Sequence, residues 1–246
     1  MSIKFFPTNF VSYSMVEKHN EIKDELLPRI LHYANQYKED NRHTWDSITT
    51  SKVITTYNTG IEKEIAAIIL NKYIKYMVWD PFKEVVDHAG VRKFSDAGVT
   101  SCWWNLYNTG DYADMHTHSS GAKGGPNYSG VYFLDMKEEN TLEFVSPVLS
   151  STHPIDSTFH TMLTGGYEDP QNNITEGMVC IFPSSLMHYV KPCLKRRITI
   201  SFNIACRYPE YDQQLQVYPT DPKAGKPVPN TKSTIINTGS NVQKTR

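Results

Sequence analysis

The sequence has little of what would tie it to a membrane, to nucleic acid or to an oxidising compartment. Its longest apolar runs, such as Ile65–Leu70, fall far short of the roughly 20 residues a spanning helix needs. The opening residues, MSIKFFPTNF, show no charged-then-apolar leader pattern. With 25 basic against 26 acidic residues the net charge is near zero, so nothing argues for a polyanionic partner. The four cysteines (Cys102, Cys180, Cys193, Cys206) form no CxxC pair and no dense framework, which predicts reduced thiols rather than disulfides or a zinc knot. A cytoplasmic protein is expected, one that requires neither nucleic acid nor membrane.

What is present is an aromatic content of 12%, with 15 tyrosines, which suits a β-rich core that buries rings on one face of each strand. Residues 1–14 read as a short strand or extended arm. From Met15 to about Lys38, Val16, Ile22, Leu26, Leu27, Ile30, Leu31 and Tyr33 recur at helical spacing, with a kink or a break into two helices expected at Pro28. Glu39–Thr59 reads as a loop whose Trp45 docks on the core. After Gly60, Ile61, Ile65, Ile68, Ile69, Tyr73 and Tyr76 line one helix face, and a further short helix is expected after Pro81, ending by Gly90.

Beyond Val99 the pattern changes to short apolar runs at Cys102–Tyr107, Ser129–Leu134, Thr141–Val145, Met178–Phe182 and Ile198–Ile204, separated by Gly, Pro, Asn and Ser. This is the pattern of an antiparallel sandwich or jelly roll. Ser146–Glu176 reads as a structured excursion, and the Pro-, Thr- and Asn-rich residues after Arg207 as an extended arm. The fold expected is mainly β with N-terminal helices, α+β. Residues 1–100 form a helical support, 101–206 a β core that carries the site, and 207–246 an arm able to reach a second copy in a homodimer.

Within the core, His116 and His118 are two residues apart, so an extended backbone points both imidazoles the same way. That is two of the bonds a borderline divalent metal wants; two surface imidazoles would share the spacing. His188 follows an apolar strand and a Pro-Ser-Ser turn, where it is either a third ligand or an ordinary rim histidine. In Arg197–Asn203 the alternation puts Arg197, Thr199, Ser201 and Asn203 on one face, opposite Ile198, Ile200 and Phe202. A polar inner face headed by arginine suits a pocket for a carboxylate, whose geometry the guanidinium fork matches. The alternative is a solvent-facing basic pair, Arg196-Arg197.

The order W-x-N (103–105), G-D (110–111), H-x-H (116–118), S-G-V-Y-F-L (129–134), L-E-F-x-x-P (142–147), G-x-x-x-x-F-P-S-x-x-x-H-x-V-x-P (177–192) and R-I-T-I-S-F-N (197–203) resembles the iron(II)- and 2-oxoglutarate-dependent oxygenases, in particular a bacterial and phage group. The N-terminal FFPTNF is similar more loosely. The resemblance implies a double-stranded β-helix core and oxidative decarboxylation of 2-oxoglutarate by O2, coupled to hydroxylation of a C–H bond, with ascorbate as a supporting reductant. It implies His116 and His188 as iron ligands and Arg197, nine residues after His188, as the clamp on the co-substrate carboxylate. Asn105, Tyr107, Thr199 and Asn203 become the polar groups of the co-substrate pocket, and no separate catalytic acid or base is needed. The substrate is left open, a peptidyl side chain among the candidates.

Two departures stand out. Most of the superfamily carries Asp or Glu where this chain has His118, so either three histidines hold the metal, or Asp111, Asp114 or Glu143 supplies a carboxylate and His118 only orients a ligand. Phe133 stands where a tyrosine often assists the co-substrate. Two other functions compete. A cupin-type metalloenzyme without 2-oxoglutarate fits Gly110 and His116-x-His118, yet lacks the expected following glutamate and gives Arg197 no task. A catalytically silent jelly-roll module would hold a metal or nothing. Arg197-dependent turnover of 2-oxoglutarate separates the oxygenase from both.

Overall fold

The computed structural model describes residues 12–40, 52–88, 94, 96–118, 126–137, 142–144 and 174–207. Trp45, the N-terminal FFPTNF, most of the Ser146–Glu176 excursion and the arm beyond Arg207 lie outside the described residues.

A short strand, β1 (Ser12–Met15), leads into α1 (His19–Asp40). Ile22, Leu26, Ile30 and Ala34, four residues apart, are all buried. The expected break at Pro28 does not occur: the helix runs through it as one element. Proline removes the donor to the Asp24 carbonyl and crowds that turn, but the buried apolar stripe continues on both sides of it and holds the helix against the sheet. Within the segment read as a loop, Ile54–Thr55 forms a second strand, β2.

The next helix, α2 (Lys63–Ile68), widens into two π-helical runs, Ile69–Tyr73 and Lys75–Trp79, and continues as α3 (Asp80–His88), so the two helices expected around Pro81 are one helical stretch. The spacing of the buried residues gives the reason. Ile65, Ile69, Tyr73 and Met77 recur every four residues, and in an ordinary α-helix that spacing drifts by about 40° per step. Wider π turns cancel the drift and keep the stripe on one face.

Seven further strands follow: β3 (Asp96–Tyr107), β4 (Ala113–His116), β5 (Tyr128–Met136), β6 (Leu142–Phe144), β7 (Met178–Pro183), β8 (His188–Val190) and β9 (Arg197–Arg207). They alternate between a larger sheet, ordered β1-β7-β5-β9-β3-β2, and a smaller one, ordered β4-β8-β6, with every pairing antiparallel. Alternation of successive strands between two facing sheets is the jelly-roll arrangement.

β9 sits at the centre of the larger sheet and is buried on both faces. Ile198, Ile200, Phe202 and Ile204 pack with the helices in one apolar core. Arg197, Thr199, Ser201 and Asn203 occupy the other face, towards the smaller sheet. A second core, which includes Phe133, Phe144, Cys180 and Phe182, packs between the sheets. No helix among the described residues is long and apolar enough to cross a membrane.

Candidate metal centre

Three imidazoles converge between the sheets. His116 and His188 are register partners across β4 and β8, with ring centroids 4.3 Å apart. His118 lies two residues past His116, just beyond the end of β4, where its backbone N–H donates to the Ser184 carbonyl at 2.8 Å. Its ring stands 5.2 Å from that of His116 and 5.0 Å from that of His188. One ring nitrogen from each of the three lies within 4.8 Å of the others. Some point is then no more than about 2.8 Å from all three, and shifts of under about 1 Å reach the ~2.1 Å bonds of an imidazole-bound metal.

The hydrogen bonds choose the coordinating nitrogen. His116 Nδ1 lies 2.6 Å from the Asp114 carbonyl and His188 Nδ1 lies 2.9 Å from the Leu186 carbonyl. A carbonyl only accepts, so both Nδ1 atoms carry the proton and Nε2 keeps the lone pair. His118 Nδ1 meets Asn203 Oδ1 at 2.8 Å, which sets the same tautomer. Around the imidazoles stand Phe182, at 4.8 Å from the His188 ring, and Trp103, at 5.4 Å from the His118 ring. Burial among these groups lowers the pKa of all three histidines, that of His118 to about 4. Neutral imidazole is the form that binds metal.

The carboxylates considered from sequence do not join this group. Asp111 accepts from the Asn108 backbone N–H (2.7 Å) and side chain (3.1 Å), and Glu143 pairs with Lys191 at 2.5 Å. Asp114 contributes its main-chain carbonyl to His116. Among the described residues, the group with the geometry to hold a metal ion is the three histidines.

The pocket beside them is lined by Trp103, Asn105, Tyr107, His116, His118, Val131, Phe133, Leu142, His188, Val190, Arg197, Thr199 and Ser201, around about 410 Å³ of space that includes its open mouth. Arg197 is 1% exposed, and its guanidinium carbon stands 4.7 Å from the Tyr107 ring centre and 5.9 Å from that of Phe133. Burial pushes the Tyr107 phenol up to about 12, against the pull of the Arg197 charge, so the phenol stays protonated. Asn105 is the centre of a buried network. Its Oδ1 accepts from Thr55 (2.7 Å), and its Nδ2 donates to Thr199 (3.2 Å) and Ser201 (3.1 Å). Both hydroxyl oxygens thereby accept from Asn105, which leaves their own protons to donate elsewhere.

Of the residues singled out in the sequence, His116, His118, His188, Arg197, Asn105, Tyr107 and Thr199 line this one pocket. Asn203 does not; it lies behind His118 and holds its Nδ1. Sequence reasoning passed over Ser129 and Ser184, which complete that support, and Thr55, which fixes Asn105. The two serines stand inside the S-G-V-Y-F-L and F-P-S motifs, while Thr55 sits in a segment with no strand signal.

Residues 101–203 match the profile of a family described as "Putative 2OG-Fe(II) oxygenase". That match covers less than half of the chain and lies within the β core. This oxygenase match spans all three histidines and Arg197. Comparison with curated proteins finds no sequence match. Among solved structures, the chain is similar to AviO1 from Streptomyces viridochromogenes Tue57 (TM-score 0.53, 11% identity, covering 81% of this chain and 91% of that one). It is also similar to a prolyl hydroxylase from Trichoplax adhaerens, in complex with a hypoxia inducible factor oxygen degradation domain peptide fragment (TM-score 0.51, 15% identity, covering 86% and 89%). At these identities the likeness is one of fold alone.

Proposed function

We propose that the protein is an Fe(II)- and 2-oxoglutarate-dependent dioxygenase that uses His116, His118 and His188 as metal ligands and Arg197 as the anchor for the co-substrate carboxylate. The observation that carries this reading is the juxtaposition of three Nε2 lone pairs with a buried guanidinium in one pocket. A metal site alone would not need Arg197; a carboxylate site alone would not need three convergent neutral imidazoles.

The donor set fits the group. Three histidine nitrogens would hold the ion from the protein side and leave the co-substrate and O2 access to it. Iron and 2-oxoglutarate, when bound, supply oxidative decarboxylation to succinate with hydroxylation of a C–H bond. The chain supplies the rest. Carbonyls of Asp114 and Leu186 orient two ligands. The Arg197 guanidinium offers donors to an incoming carboxylate, and the Thr199 and Ser201 hydroxyls, which line the same pocket, are each able to donate one more. Val131, Phe133, Leu142 and Val190 wall the pocket with apolar surface and exclude water.

The Trichoplax neighbour is a peptide-bound prolyl hydroxylase, and a peptidyl side chain is the substrate class to test first. Reduced thiols at all four cysteines suit a cytoplasmic setting. The test is succinate release from 2-oxoglutarate with Fe(II) and ascorbate. Turnover that disappears in Arg197→Ala supports the reading. Metal binding with no 2-oxoglutarate turnover would refute it.

A further inference from the structure

Asn105 stands between β2 and the pocket, with one end of its amide on each. Thr55 Oγ1 lies 2.7 Å from Asn105 Oδ1, while Asn105 Nδ2 lies 3.2 Å from Thr199 Oγ1 and 3.1 Å from Ser201 Oγ. All four residues are buried, none more than 4% exposed. The distances choose the way the amide faces. O–H···O bonds extend to about 3.0 Å and N–H···O bonds to about 3.2 Å. The short contact is therefore the Thr55 hydroxyl donating to the amide oxygen, and the two longer ones are amide N–H donors. With the amide reversed, Thr199 and Ser201 would have to donate across 3.2 and 3.1 Å, beyond that range.

The direction of this one amide decides what the pocket wall offers. Thr199 and Ser201 accept from Asn105, and among the described residues neither has an acceptor for its own proton. Both line the pocket on the face of β9 that carries Arg197, so each keeps one donor for a ligand there. A reversed amide would take both protons onto Oδ1 and leave the hydroxyls to show lone pairs. An ionised carboxylate only accepts hydrogen bonds, and lone pairs repel it.

Thr55 holds that direction. Its oxygen accepts from the Tyr57 backbone N–H at 3.2 Å, and its proton goes to Asn105, since the Trp104 carbonyl is farther away at 3.2 Å. Thr55 is the register partner of Asn105 on the two-residue β2. Val53 and Ile54 fix that strand by packing into the two apolar cores, and Lys52 bridges to Tyr112. The strand lies outside residues 101–203, the part of the chain that matches the oxygenase profile.

Resting on the proposed oxygenase function, we propose that Thr55 is a positioning residue that sets the hydrogen-bond polarity of the co-substrate wall. It does not line the pocket. It fixes the Asn105 amide, so that Thr199 and Ser201 meet the ligand as donors and the pocket prefers a carboxylate to a neutral amide of the same shape.

The experiment is calorimetric titration of the Co(II)-loaded full chain, without O2, with 2-oxoglutarate and with its 5-amide, for the wild type, Thr55→Ser and Thr55→Val. The wild type is expected to bind 2-oxoglutarate more tightly than the amide. Thr55→Val keeps the shape and removes the hydroxyl; it should bind 2-oxoglutarate about tenfold more weakly, as for weakened hydrogen bonds to a charged group. Its affinity for the amide should change far less, because an amide NH2 finds acceptors on a reversed network. Thr55→Ser restores the hydroxyl and should restore the wild-type preference. Circular dichroism checks each fold, and Thr55→Ala carries the test if the valine variant is unfolded. A folded variant without the hydroxyl that binds both ligands as the wild type does, or loses affinity for both by the same factor, overturns the role of Thr55. Failure of the wild type to bind 2-oxoglutarate, or binding that survives Arg197→Ala unchanged, would instead defeat the oxygenase reading beneath it.

Discussion

The Arg197 guanidinium lies over the Tyr107 ring, 4.7 Å from carbon to ring centre, and the two residues are register partners across β3 and β9. The stack holds the planar fork in place inside the pocket and leaves its edge for a carboxylate. Arg197→Lys keeps the charge but loses both the stack and the two-pronged contact. The expected result is a rise of about 10- to 100-fold in KM for 2-oxoglutarate, as for loss of a charge-assisted hydrogen bond. Tyr107→Phe retains the ring and should raise KM far less than Tyr107→Ala, a difference that steady-state kinetics reads directly.

Removal of a ligand should empty the centre. His116→Ala and His188→Ala are expected to hold little iron after anaerobic reconstitution, measured by metal analysis on folded protein. His118→Asp is expected to retain iron, because aspartate offers an oxygen donor at the same position and adds compensating charge.

Acid should weaken the metal-free protein before its carboxylates titrate. Burial lowers His118 from an ordinary 6.5 to about 4, and lowers His116 and His188 as well. The unfolded chain therefore takes up protons between about pH 6.5 and 4 that the folded chain does not, and stability falls as pH falls through that window. For His118 alone the loss approaches about 3 kcal/mol once pH 4 is reached. In urea melts of metal-free protein at pH 7 and pH 5, His118→Gln should show a smaller drop in stability between the two pH values than the wild type.

Gly130 is fixed by packing rather than by backbone freedom. A Cβ there would stand 2.2 to 2.9 Å from ring atoms of Phe202, its register partner on β9, and that ring is buried in the helix-side core. Gly130→Ala should cost about 1–3 kcal/mol, as for other overpacked cores. A second change, Phe202→Leu, should recover part of the loss in the same urea-melt assay.

The legible parts of this protein were those governed by local periodicity. The alternation of Arg197 to Asn203 foretold a strand with one polar and one apolar face, and β9 has both, buried on either side. The i, i+2 spacing of His116 and His118 foretold rings on one side of the chain, and they stack at an interplanar angle of 15°. What the sequence hid depends on distant partners. Pro28 signals a break by itself, but the buried stripe from Ile22 to Ala34 holds the helix together. Ile54 and Thr55 are too few to show a strand signal and become one only by pairing with Asn105 and Leu106. Asn203 shares a face with Arg197 and so looked like a lining residue, yet it lies one pleat beyond Ser201, the last lining residue of that face, and reaches His118 instead. No spacing rule joins Ser129, Ser184 and Asn203, because three separate strands or turns bring them together.

The most direct test of the account is anomalous diffraction at the cobalt edge from crystals grown with Co(II) and 2-oxoglutarate. The account predicts one peak bonded to Nε2 of His116, His118 and His188, with the far carboxylate of 2-oxoglutarate on Arg197. A peak held by Asp111 or Glu143, or no peak among the three imidazoles, would contradict it.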